Sequence, residues 1–356
     1  MSTPGSSSAP RGPVPWQVWY LALALVWGSS YLLIKVGLEV LGGVQVAALR
    51  IVLGATVLLL LVSATRTRLP RGRRTWGHLL VTGTLLCSLP WTLFALGEQR
   101  VTSAVAGIAN ATTPVAAVVA TALLLPGEPV GRRRQVGVAV GFLGVVLIAQ
   151  PWSLERGPDP VGLAMVLVAS ASYGVGWTYV RRHLHGVDPG GLSMPAAQVL
   201  VALAQVPLLL LVDWWLRGAP SVGPLAPAGP SAGAGGSALW GPVLAVVALG
   251  VVGTGLAQAM QYAVVRAAGP TVATSVTYPI VVVSVLLGVL LLGERVGPVV
   301  LLGAGVVLAG SLLIGTGRRT RGRGSRRAPR KGVGPWWRGR ARHTPAVSVG
   351  PAKMGG

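Results

Sequence analysis

Apolar residues in this chain come in long runs dense in Leu, Val, Ala and Gly, and none of the runs alternates with period two. A helix needs about 20 predominantly apolar residues to cross the hydrocarbon of a bilayer. Ten runs fit that length: 16–38, 44–64, 76–97, 101–125, 133–151, 160–181, 191–215, 238–262, 268–292 and 296–316. Membrane barrel strands are about ten residues long with strict in/out alternation, so a barrel is excluded. The turns at Glu39 to Gly43 and at Gly293-Glu294-Arg295 are short and force their flanking spans into antiparallel hairpins. The expected fold is an all-α integral membrane bundle of ten transmembrane helices with little mass outside the lipid.

Polar stretches punctuate this pattern. Residues 1–15 are rich in Ser, Pro and Gly and predict a disordered N-terminus, and 217–237 (RGAPSVGPLAPAGPSAGAGGS) predicts a flexible extramembrane loop. The tail 317–356 is rich in Arg, Gly and Pro and cannot bury a core, so it too is expected to be disordered. The first span is not a cleavable signal: its run exceeds a typical h-region, Lys35 interrupts its end and no small-residue cleavage site follows.

Composition agrees with the spans. Only 11% of the 356 residues are charged, and 52% are hydrophobic, whereas a soluble domain averages roughly 25% charged. A single cysteine, Cys87, excludes an intrachain disulfide and a CxxC motif, and four histidines without HxxxH or HExxH spacing predict no metal site. The formal charge of +22 raises nucleic acid or anionic lipid as partners, and the position of the charge decides between them. With the N-terminus inside, cytoplasmic segments before the tail hold 12 basic residues and the opposite side holds 4, while the tail from Arg318 to Lys353 adds 12 more. Basic residues retained on the cytoplasmic side set orientation, so both termini are expected in the cytoplasm and the tail is expected to lie near anionic lipid. No nucleic-acid partner is expected.

The chain repeats itself. Residues 113–148 and 278–314 match without a gap from each glutamate onward: Glu128 with Glu294, Gly137 with Gly303, Gly144 with Gly310 and Ile148 with Ile314. Trp27-Gly28 pairs with Tyr173-Gly174, and Lys35 with Arg181, at equal spacing. Five spans per copy is odd, so the second copy enters the membrane inverted, an architecture of many secondary transporters. The two repeats are expected at 16–151 and 160–316. On VWGSSYLLIKVGL (26–38), AALRIVLG (47–54) and a proline followed by Gly-Glu in each half (Pro114 to Glu128, Pro279 to Glu294), the chain resembles the drug/metabolite transporter superfamily. The resemblance is to its ten-helix transporters with two EamA-type domains. It implies a 5+5 inverted fold, solute movement across the cytoplasmic membrane, and a central cavity lined mainly by the first, third, fourth, sixth, eighth and ninth spans.

Ionisable and polar residues at depth mark the candidate site. Arg50 is about seven residues into the second span; Lys35, near the outer end of the first, is able to snorkel. Glu128 and Glu294 read as helix-end residues. Glu39, Glu98 and Asp213 all lie near span ends, so no acid occupies mid-span, and proton coupling through a buried acid is not expected. The small multidrug relatives of the superfamily carry a carboxylate in their first helix, and its absence here disfavours export of lipophilic cations. Proline removes a backbone donor and frees carbonyls, which points to Asn110, Thr113 and Pro114 in the fourth span. The same argument points to Thr277, Tyr278 and Pro279 in the ninth. Trp27, Trp91, Tyr173 and Trp177 are candidate aromatic walls, and Gln258 and Gln261 are expected to bond another helix or a solute. Gly137-x3-Gly141 permits close helix contact, for packing within the bundle rather than dimerisation, although a homodimer stays open.

The expected function is secondary transport of a small-molecule solute, with carboxylate-bearing solutes such as amino acids favoured and export the expected direction. The alternatives are efflux of cationic compounds by the same fold and an integral-membrane enzyme. The enzyme reading rests only on His183 and His185 beside Arg181-Arg182. No Walker A pattern is present, so no ATPase and no cofactor are expected.

Overall fold

The computed structural model describes residues 15–125, 130–152, 157–184, 186–187, 190–217, 240–268, 272 and 275–315. The first 14 residues, the loop 218–237, the tail 317–356, and Glu128, His185 and Thr274 lie outside the described residues.

Among the described residues the regular structure is helical throughout. In chain order the helices are α1 (Trp16–Gly37), α2 (Gly43–Ala64), α3 (Arg73–Glu98), α4 (Ser103–Leu124) and α5 (Arg132–Ala149). The second half continues with α6 (Pro160–His183), α7 (Ser193–Arg217), α8 (240–268), α9 (Thr277–Leu292) and α10 (Pro298–Gly315). Eight of them are long and apolar enough to cross a membrane by length and composition. The other two are α5, which opens on three arginines, and α9, which has 16 residues. The ninth span was expected from 268; 269–271 and 273–274 lie outside the described residues, and the described helix α9 runs from Thr277 with Pro279 in its first turn, where the N–H that proline lacks would be unbonded anyway. Leu21, Leu60, Leu123, Phe142, Leu208 and Leu290 all point outward, as helices solvated by lipid require. The protein is a multi-pass membrane protein.

The two halves meet reciprocally. A Cβ placed on Gly137 of α5 would lie 2.8 Å from the Gly310 carbonyl of α10, and one placed on Gly303 would lie 2.9 Å from the Gly144 carbonyl. Gly137 matches Gly303 and Gly144 matches Gly310 in the repeat, so each contact is the mate of the other. Such isologous pairing is what a twofold axis produces. Because the start of α5 faces the end of α10, the pair is antiparallel and the axis lies across the helices, as in an inverted repeat. The matched glycines Gly28 and Gly174 repeat the pattern, the first against Val283 of α9 and the second against the Ala116–Ala117 backbone of α4.

Three spans are interrupted, and the interruptions shape the centre. In α3 a π-helical turn occupies Thr84–Ser88, directly before Pro90, which cannot donate to the Leu86 carbonyl one turn earlier. Gln205 of α7 bridges this turn, donating to Thr84 Oγ1 at 2.7 Å and accepting from Ser88. In α8, the equivalent third helix of the second repeat, a second π turn occupies Val251–Leu256. In α4 the helix breaks at Ala111–Thr112, between Ser103–Asn110 and Thr113–Leu124. The freed carbonyls there are met by hydroxyls: Thr112 donates to Ala109 (2.7 Å) and Ser311 of α10 donates to Ala111 (2.8 Å).

Candidate functional site

A cavity of about 680 Å³ occupies the middle of the bundle. Trp27, Arg50, Trp91, Asn110, Thr113, Pro114, Tyr173, Trp177, Gln258, Gln261, Thr277 and Tyr278 all line it. Pro279 does not; it sits in the first turn of α9 with its ring outside the lining. The six expected spans supply most of the lining, and α2, α5, α7 and α10 also reach the void through Arg50, Arg134, Gln198 and Leu312. The sequence reading also passed over Tyr31 and Phe94, whose rings meet edge to face at 5.5 Å and close the inner wall.

Among the described residues the lining of the cavity runs from a buried end to an exposed one. Towards one face its lining ends at the buried side chains of Ile34, Tyr31 and Phe94. Towards the other it reaches Arg134, Arg181 and Gly315, and the last two of these are exposed.

Arg50 is the charge at depth, with 7% of its surface exposed. Its Nε donates to Thr254 Oγ1 at 2.9 Å, and its guanidinium carbon lies 4.8 Å from the centre of the Trp91 ring, within cation–π range. The π turn of α8 organises this corner. Thr254 donates in turn to the Leu249 carbonyl at 3.1 Å, and the Gly253 carbonyl accepts from Trp27 Nε1 at 3.2 Å. With Nε committed, the terminal guanidinium nitrogens have no hydrogen-bond partner among the described residues. A fork of parallel N–H donors is the group that receives a carboxylate in two bonds. Gln258 and Gln261 line the same void and likewise make no side-chain hydrogen bond among the described residues.

The other singled-out residues have structural partners. Lys35 does not snorkel: its Nζ donates to the backbone carbonyls of Glu98 (2.6 Å) and Val101 (3.0 Å), tying α1 to the α3–α4 turn. Glu294 accepts from the Ser103 and Ala104 amides at 2.7 and 3.0 Å, capping the start of α4. Tyr278 donates to the Ser311 carbonyl at 2.8 Å, which pins the start of α9 to the end of α10. His183 stacks on Tyr179 and His78 outside the cavity lining. Glu98 departs from the reading as a span-end residue, for it is completely buried.

With this geometry in place, the comparisons with known proteins decide the family. The EamA-like transporter family matches residues 14–150 and 160–316. The chain belongs to that family. It is 28% identical over 301 residues to the uncharacterized inner membrane transporter YedA of Escherichia coli (strain K12), covering 83% of this chain and 89% of that one. It is 25% identical over 195 residues to an uncharacterized transporter of Archaeoglobus fulgidus, covering 53% of this chain and 65% of the relative. A solved crystal structure at 20% identity superposes with a TM-score of 0.53 over 84% of this chain and 95% of its own, a likeness of fold alone. The protein is a membrane transporter, and the same matches supply the drug/metabolite transporter superfamily expected from the duplicated motifs.

Proposed function

We propose that this transporter moves small carboxylate-bearing solutes, amino acids among them, out across the cytoplasmic membrane by alternating access. One observation carries the reading: among the described residues, the charged side chains lining the cavity are Arg50, Arg134 and Arg181, and no acid is among them. In a low-dielectric cavity with one sign of charge, a cationic solute is repelled and an anionic group is drawn to the free guanidinium fork. Arg50 holds the carboxylate, the aromatic rings of Trp27, Trp91 and Tyr173 enclose the uncharged part, and Gln258 and Gln261 read its polar atoms. In the orientation set by the basic loops, both termini are cytoplasmic, and the open end at Arg181 and Gly315 faces the cytoplasm, where an exporter loads. The two repeats, 16–151 and 160–316, rock about the site, and no cofactor takes part.

The test is transport in vesicles by the parent protein and by Arg50→Gln. Carboxylate solutes are expected to move in the parent and to lose transport selectively in the variant, while quaternary ammonium dyes move in neither. Robust dye transport by the parent without carboxylate transport overturns the reading.

A further inference from the structure

Two groups stand outside the binding site just described: the His78–Tyr179–His183 stack and the closed end of the cavity around Glu98. The last carries an argument about an unassigned site. Calling that end outer rests on the orientation proposed above.

Glu98 is the last residue of α3 and has 0% of its surface exposed. Neither of its carboxyl oxygens has a hydrogen-bond partner. The packing around it is close: Gly97 lies against Gly162, Met165 and Val166 of α6, and the Ala95 carbonyl and Leu96 lie against Gly43 of α2. The charged and titratable groups near enough to act on Glu98 are Lys35 and Tyr31 on α1, Arg50 on α2, and Glu294 in the turn before α10. The α6 surface against this end presents Gly162, Met165 and Val166, none of them titratable. Each charged neighbour is already engaged. Lys35 is held by the carbonyls of Glu98 itself and of Val101, Arg50 by Thr254 and the Trp91 face, and Glu294 by two amides of α4.

We propose that Glu98 is a proton-binding site in the outer gate, protonated while the gate is shut and ionised when it opens. A buried carboxylate with no donor is strongly disfavoured, whereas the neutral acid carries no charge to desolvate. The shut gate therefore retains the proton. Opening must part the ties that Lys35 and Glu294 make across this end, which admits water to the end of α3. The carboxyl O–H then gives its proton to outer water and leaves a hydrated carboxylate. One proton is released per opening, so the ratio of open to shut rises with external pH, by up to about tenfold per pH unit. Proton binding from outside thereby closes the gate, and because the proton is taken from and returned to outer water, external pH sets the gate without moving a net proton across the membrane.

The experiment needs no solute. In a Cys87→Ala background, Ser30→Cys places one thiol on the cavity wall, and a membrane-impermeant maleimide is applied to intact cells across a range of external pH. Thiol chemistry itself accelerates with pH, so the quantity read is the labelling rate divided by that of the same protein carrying Glu98→Gln. That ratio is expected to climb severalfold as pH rises. Glu98→Leu serves as a second neutral reference, and Glu98→Asp, which keeps the acid, is expected to follow the parent. A ratio that stays flat with pH, or a parent thiol that no external pH exposes, overturns the proposal. The same ratio measured in inside-out vesicles is expected to stay near one. A pH-dependent ratio found only there leaves the proton site standing and overturns the orientation.

Discussion

Arg50 shows how one side chain acquires a direction. A guanidinium offers five N–H donors, and here the partner Thr254 and the Trp91 ring take one edge and one face, leaving the opposite edge towards the void. In the proposed function Thr254 is a positioning residue, acting through Arg50 rather than on a solute. A hydrogen bond to a charged group contributes about 1.5–3 kcal/mol, so Thr254→Val is expected to raise the apparent KM for carboxylate solutes roughly tenfold or more. Thr254→Ser, which keeps the hydroxyl, restores it. Equal KM values for the Val and Ser variants in vesicle transport would remove Thr254 from the account. The sequence displayed Arg50 as an ionisable residue inside a span, but nothing in it joined Arg50 to a threonine 204 positions away. Glu98 was hidden for a related reason. Its place at the end of an apolar run implies an interface with water, and only the long-range packing of α2 and α6 over that end removes the water.

Among the helices, legibility followed the range of the interactions. Ten runs of apolar residues gave ten helices because crossing lipid obliges each segment to satisfy its own backbone. The break in α4 was also local, announced by Asn110-Ala111-Thr112-Thr113 before Pro114. The π turn at Val251–Leu256 was not legible: it contains no proline, and its Gly253 carbonyl and Thr254 hydroxyl are engaged by Trp27 and Arg50 from the other repeat. Packing of α5 on α10 gives a direct prediction. A Cβ on Gly310 would stand 2.6 Å from the Gly141 nitrogen and 2.7 Å from the Gly137 carbonyl, both backbone atoms that cannot rotate away. Gly310→Ala is expected to destabilise by about 1–3 kcal/mol and lower the Tm of the detergent-purified protein. A Cβ on Gly305, one helix face away, would meet nothing within 4 Å. Gly305→Ala is expected to leave Tm unchanged or raise it slightly, through better helix propensity of up to about 1 kcal/mol. Equal Tm losses in the two variants would contradict close contact of the repeats at this seam.

For the molecule as a whole, ten helices, an internal twofold and a central cavity lined by both repeats are the parts that the proposed alternating-access cycle requires. Orientation is tested by a reporter active only outside the cell, fused after Gly315; it is expected to be silent, while one placed in the 217–237 loop is active. The chemistry of the cargo is tested most directly on the purified parent protein. Trp27, Trp91 and Trp177 line the cavity, so indole fluorescence reports what enters it. Matched pairs of solutes that differ only as free carboxylate and methyl ester are titrated into the protein. Saturable quenching by the carboxylates, with the esters at least roughly tenfold weaker for loss of the charged pair with Arg50, is the expected result. Esters that bind as tightly as their acids, or amines that bind in preference to both, would contradict a cavity built to receive a carboxylate.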